Sequence, residues 1–393
     1  MLSYSFLFHL AIILLSTKLL GLLTKKIRLP QVVGALLAGL ILGPSVLNIL
    51  NETEFILQLA ELGVIVLMFT AGVEADIKKL RKVGLSSLGI SALGIVIPLV
   101  GGYLLSAFVN RNTGVPMTLE HFFMGLIVAS TSVSITVETL KELGKLSTTA
   151  GNAILGASII DDIICIVALT IITSLRGPDV SLSGVLLKLV LFFIVAGVAG
   201  YFFSKFMNYQ MDHYNMDLRR FVVLSFVFCL LLSYSAEEFF GVEAITGAFL
   251  AGLSLSTAPR KHYVETRFET TSYMLLSPVF FASIGIKVLI PEITLPLILL
   301  STALVIIAII GKLIGCGIAA KCLGYSNQES LQIGSGMICR GEVTLIIASK
   351  GIAMGVLQPI FFGPIVIMVI ITAMFMPILL KLVFNEKEPL QVN

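Results

Sequence analysis

The chain has 393 residues, of which 57% are apolar and 12% charged. Its mean hydropathy is +1.03. Soluble domains carry about a quarter of their residues as charges, so this composition excludes them and points to a multi-span membrane protein. The net charge of +3 is spread over short loops, so no basic face for nucleic acid is expected.

In chain order, apolar spans are expected at 3–24, 30–49, 53–74, 85–110, 117–140, 150–175, 183–207, 219–239, 241–257, 270–290, 293–320, 328–350 and 359–384. Residues 1–10 lack a basic start and run into a full span, so no cleaved leader is expected. Basic residues gather in alternate loops: Lys25, Lys26 and Arg28; Lys78, Lys79, Arg81 and Lys82; Lys141 and Lys145; Arg219 and Arg220; Arg260, Lys261 and Arg267. This alternation puts the N-terminus outside the cell membrane and the C-terminus in the cytoplasm.

Thirteen spans divide as six, one and six, with a first repeat at 1–175, a linker at 183–207, a second repeat at 219–385 and a short tail at 386–393. A single linker span forces the second six-span unit to be inverted, a plan common among secondary transporters. All 393 residues then form one transporter domain.

The plan predicts matching irregular spans in the two halves. The fifth span holds Ser130-Thr131-Ser132-Val133-Ser134-Ile135-Thr136, whose hydroxyl and β-branched side chains weaken a helix and can satisfy freed backbone groups. The twelfth holds Gly334-Ser335-Gly336-Met337-Ile338-Cys339-Arg340-Gly341-Glu342, glycine-rich and doubly charged. Arg340 and Glu342 read as an ion pair that steadies this broken segment.

The sixth span carries adjacent carboxylates, Asp161 and Asp162, within an apolar stretch. One ionised aspartate at mid-membrane costs about 3 kcal/mol, and a neighbour adds repulsion, so cations or protons must offset the pair. Consecutive helical residues point about 100° apart, so the two need different partners. Lys312 is the candidate partner for one of them, because it lies too deep in the eleventh span to snorkel. An inert buried ion pair is the alternative for Asp161 with Lys312. Glu138, three residues before Lys141, reads by default as an exposed helix-end charge, with a cation funnel as the alternative. Five cysteines without C-x-x-C spacing read as packing residues, and four scattered histidines form no metal cluster.

Gly156-Ala157-Ser158-Ile159-Ile160-Asp161-Asp162, Thr131-Ser132-Val133-Ser134-Ile135-Thr136, Gly311-Lys312 and Gly336-Met337-Ile338-Cys339-Arg340-Gly341-Glu342-Val343 occur together. In combination they resemble the monovalent cation:proton antiporter-2 family, specifically its bacterial sodium/proton antiporters. Leu29-Pro30-Gln31-Val32-Val33-Gly34, Gly43-Pro44 and Ala244-Ile245-Thr246-Gly247-Ala248-Phe249-Leu250-Ala251-Gly252 extend the resemblance over essentially the whole chain. It implies an all-α membrane protein of the NhaA/NapA-like antiporter fold, with two inverted six-helix repeats, two discontinuous crossed helices, a mobile core and a homodimerisation domain. It assigns Asp162 as the cation and proton carrier, pairs Asp161 with Lys312, and places Thr131 and Ser132 at the crossing.

The expected activity is exchange of sodium, with lithium or potassium as further candidates, for protons, in contact with membrane lipid. The protein is not expected to be an enzyme, and no catalytic residue or cofactor is expected. A potassium/proton antiporter of the efflux type is disfavoured by the retained Asp161 and by a chain that ends at Asn393, soon after its last span. An intramembrane aspartyl protease needs aspartates on separate helices. A passive cation channel also suits a carboxylate in an unwound cavity.

Overall fold

The computed structural model describes residues 4–26, 30–75, 77–109, 117–174, 182–213, 219–287 and 294–384, and every regular element among them is helical. The first half supplies α1 (Ser5–Lys26), α2 (Gln31–Leu42), α3 (Glu54–Glu74), α4 (Ile77–Val109), α5 (Met117–Ala129), α6 (Val133–Glu142) and α7 (Thr149–Ser174). Then comes α8 (Leu182–His213). The second half supplies α9 (Arg219–Ser235), α10 (Ala244–Leu255), α11 (Lys261–Thr271), α12 (Ser277–Ile286), α13 (Leu295–Cys322), α14 (Asn327–Gly336), α15 (Glu342–Ala353) and α16 (Phe362–Phe384). A π-helical turn at Ser272–Leu276 joins α11 to α12.

Nine segments among the described residues are long and apolar enough to cross a membrane, with Gln31–Leu42 and Ala244–Leu255 as shorter apolar helices. Segments 261–286 and 327–353 account for the remaining expected spans, and polar residues dilute their hydropathy. Several boundaries differ from expectation. α2 stops at Leu42 because Gly43 precedes Pro44, which disfavours helical geometry in the residue before it. α4 starts at Ile77 and α11 at Lys261, so basic stretches expected to be loops are helical. Lysine and arginine are good helix formers, and α11 adds a 2.9 Å contact from His262 to Glu265 one turn on.

Helix contacts recur twice along the chain. α1 packs on α2 as α9 packs on α10, α4 on α5 as α13 on α14, and α4 on α7 as α13 on α16. α2 of the first half packs on α12 of the second as α10 of the second packs on α3 of the first, while α4 meets α13 and α3 meets α12 at the centre. Glycines set the closest approaches, as membrane helices without a hydrophobic drive between them require. A Cβ at Gly39 would run into the Ala282 carbonyl and one at Gly285 into that of Leu36; likewise Gly72 faces Phe249 and Gly252 faces Phe69. The sequence carries the same repeat: Val33-Gly34-Ala35-Leu36-Leu37-Ala38-Gly39-Leu40 recurs as Thr246-Gly247-Ala248-Phe249-Leu250-Ala251-Gly252-Leu253.

Both segments expected to be irregular are broken. α5 ends at Ala129 and α6 begins at Val133; α14 ends at Gly336 and α15 begins at Glu342. Segment 119–142 is almost wholly buried, whereas α1 and α8 turn most of their apolar side chains outward.

Candidate ion-binding site

The two breaks cross and bond to each other. The Ser132 amide donates to the Cys339 carbonyl at 2.9 Å, so the unwound strands pair directly. Thr136 Oγ1 donates to the Gly336 carbonyl at 3.0 Å, and the Ser130 and Thr344 hydroxyls lie 2.9 Å apart. These hydroxyl groups satisfy backbone and side-chain partners that a continuous helix would not leave exposed.

Arg340 organises the crossing through carbonyls. Its guanidinium donates to Val128 O at 2.6 Å, Ile338 O at 3.0 Å, Met337 O at 3.2 Å and Ala308 O at 3.4 Å, and the side chain is fully buried. Val128 lies at the C-terminal end of α5, and Met337 and Ile338 follow α14. Helix C-termini leave unsatisfied carbonyls and a partial negative charge, so one delocalised cation serves both ends. The ion pair expected with Glu342 involves a side chain outside the described residues. The carbonyl-collecting role was not anticipated, although an arginine beside an unwound segment is a signal for it.

The carboxylates approach from α7. The last residue of α14, Gly336, lets α7 come close, since a Cβ there would press on Ile154, and Ser158 Oγ of α7 lies 3.2 Å from Met337 Sδ. Asp161 and Asp162 are three and four residues beyond Ser158, so all three sit within one turn. Lys312 Nζ donates to Asp161 Oδ1 at 2.6 Å, with neither side chain exposed. The sequence expectation that joined these two is met by geometry. α4 seals the pair on one side, with Gly94 against the Lys312 stem and Cys316.

Among the described residues, Asp161 Oδ2, Thr131 Oγ1 and Ser335 Oγ are buried oxygens at the crossing without a hydrogen-bond partner. Buried polar atoms are almost always satisfied, so an orphan carboxylate oxygen and an orphan hydroxyl fit a hard monovalent cation arriving as cargo. Asp162 is also buried.

Glu138 departs from the exposed helix-end reading. It is half-buried on the wall of a cavity of about 440 Å³, shared with Leu14, Val32, Lys141, Glu142 and Phe281. The reason is that α6 packs on α2 and α3 rather than ending in solvent. Cys165, Cys229, Cys316 and Cys339 are buried, as packing residues would be, whereas Cys322 is exposed at the end of α13.

Residues 11–386 match the family described as "Sodium/hydrogen exchanger, transmembrane". The chain is 38% identical over 386 residues to the Na(+)/H(+)-K(+) antiporter GerN of Bacillus cereus, covering 98% of each chain. It is 33% identical to an Na(+)/H(+) antiporter of Enterococcus hirae, covering 95% of this chain and 96% of that one. Among solved structures, the sodium proton antiporter MjNhaP1 of Methanocaldococcus jannaschii has a similar fold, with a TM-score of 0.72 at 19% identity over 99% of this chain and all of that one. Full-length matches of this kind identify the chain as a member of the sodium/hydrogen exchanger family.

Proposed function

We propose that the protein exchanges sodium for protons across the cell membrane by alternating access, with Asp162 as the shared carrier. The observation that carries this reading is the buried Asp161–Lys312 pair next to two crossed, broken helices. A carboxylate in that setting can be neutralised by a cation or by a proton but not by both, and competition for one group makes exchange obligatory. The names of the Bacillus cereus and Enterococcus hirae relatives support sodium and proton as the exchanged pair.

Asp161 Oδ2, Thr131 Oγ1 and Asp162 are the groups that take the cation, with Ser132 fixing the unwound backbone through its bond to Cys339. When the cation neutralises the carboxylates, the hold of Asp161 on Lys312 weakens and Lys312 can release a proton. Two protons then move per cation, and the cycle is electrogenic. Arg340 keeps the crossing intact while the carboxylates change charge.

The two halves form inverted repeats about α8, with the N-terminus outside and the C-terminus in the cytoplasm. Support comes from the recurring packing, the repeated glycine motif and the gathering of Lys141 and Lys261 beside the end of α3. α4–α7 with α13–α16 form the mobile core, and the rest forms a scaffold that pairs as a homodimer, measurable as the mass of the detergent-solubilised particle.

The test is proton movement in proteoliposomes driven by sodium, lithium or potassium, with and without a potassium ionophore to clamp voltage. Sodium and lithium should drive protons at rates that respond to voltage. Potassium belongs in the series because the Bacillus cereus relative's name includes it. Cation flux at channel rates without proton movement would contradict the proposal.

A further inference from the structure

Two successive residues of α6 grip two other helices by their complementary ends. α2 begins after Pro30, which supplies no side-chain cap, and although the Val33 N–H reaches the Pro30 carbonyl at 3.2 Å, the first N–H of α2, that of Gln31, has no acceptor within its own helix. Glu142 fills that place from 111 positions away, accepting the Gln31 N–H through both carboxylate oxygens at 2.7 and 2.8 Å. α3 ends with no basic residue in its last turn. Lys141 supplies the charge there, 2.8 Å from Glu74 and 3.1 Å from the Thr70 hydroxyl, and Lys261 adds a 3.3 Å bond to the Val73 carbonyl.

The signs match the helix ends: an anion at the N-terminus of α2 and a cation at the C-terminus of α3. Neighbouring helical residues diverge by about 100°, which lets Lys141 and Glu142 reach different helices at once. The contact is also one-sided. α6 packs on α2 and α3, whereas its counterpart in the second half, α15, packs on α5 and α16 and, among the described residues, makes no comparable contact with α10 or α12. Two halves built alike but engaged unequally are what one state of a two-state device shows, and exchanging the engagement gives the other state. The cavity beside Glu138, Lys141 and Glu142 separates the same end of α6 from α1 and α12, so packing there is already incomplete.

We infer that Lys141 and Glu142 form a latch that holds the mobile core on α2 and α3 in this conformation and opens once in every exchange cycle. The inference rests on the alternating-access exchange proposed above. It assigns positioning roles, since neither residue touches the transported ion.

The test uses the full chain with Cys322, the exposed cysteine, replaced by Cys322→Ser, and with Glu74→Cys and Lys141→Cys introduced together. A short thiol-cleavable bifunctional reagent should abolish sodium-driven proton movement in proteoliposomes, and reduction should restore it. Undiminished exchange by the cross-linked protein overturns the latch. A second measurement adds sodium separately to each face of Glu74→Gln and Glu142→Gln proteins. Both variants should shift the ratio of the two apparent sodium KM values in the same direction, by about threefold, because removing the latch moves the population of the two states. An unchanged ratio overturns the inference. Wild-type protein with no sodium-driven proton movement overturns the exchange reading, and the latch with it; exchange by the wild-type protein together with exchange by the double-cysteine protein that persists through cross-linking overturns the latch alone.

Discussion

Lys312 and Asp161 meet at 2.6 Å with no solvent access to either side chain, in helices 151 positions apart. Such a pair is weak as a source of net stability, but removing one member strands the other charge in a low-dielectric interior. Lys312→Ala and Asp161→Asn should each destabilise the detergent-solubilised protein by about 3–5 kcal/mol, read as a fall in thermal midpoint. Combining Asp161→Asn with Lys312→Gln should cost less than the sum. In proteoliposomes, Lys312→Gln should retain exchange with a reduced response to voltage.

Arg340 presents a different case, a buried cation that donates to the backbone carbonyls of three segments. Arg340→Ala leaves the carbonyls of Val128, Ile338 and Met337 without this donor, at a cost of about 3 kcal/mol or more. Arg340→Lys should recover only part of that, since one ammonium cannot reproduce the planar fork. Thermal unfolding of the three proteins in one detergent ranks them directly.

Thr131 carries a buried hydroxyl with no hydrogen-bond partner among the described residues. Thr131→Val keeps the shape and removes the oxygen, and should raise the apparent sodium KM about tenfold. Thr131→Ser keeps the oxygen and should stay close to wild type. Sodium titrations of proton movement separate the two.

The glycine contacts give a control that does not involve charge. Gly72→Ala or Gly252→Ala forces a methyl into the backbone of a facing helix and should cost about 1–3 kcal/mol or more. Gly84→Ala and Gly197→Ala meet open space and should change stability by less than about 1 kcal/mol. Thermal midpoints measured side by side give the contrast.

Much of the site was legible from residue types alone. A carboxylate pair and a lysine in apolar spans announce themselves because the bilayer makes each expensive, and Ser130 to Thr136 and Gly334 to Gly341 announce breaks because their residues are poor uniform helices. Contacts between segments were not legible. Nothing local in Glu142 says that it caps a helix 111 positions earlier, and nothing local in Arg340 says that it collects carbonyls from α5 and from the segment after α14, because carbonyl geometry is not visible in sequence. The repeat shared by α2 and α10 was present in the sequence, yet only the matched glycine contacts of Gly39 and Gly252 give it a structural meaning. Helix ends at Ile77 and Lys261 were misplaced because hydropathy marks the edge of the apolar core rather than the end of the hydrogen-bonded helix.

The central claim is that Asp162 carries both ions in turn. Sodium-driven proton movement by Asp162→Asn protein in proteoliposomes tests it most directly, with thermal stability measured on the same preparation to show that the protein is folded. The expected result is a folded protein whose exchange is lost for every alkali cation. Exchange that survives in Asp162→Asn would contradict the assignment.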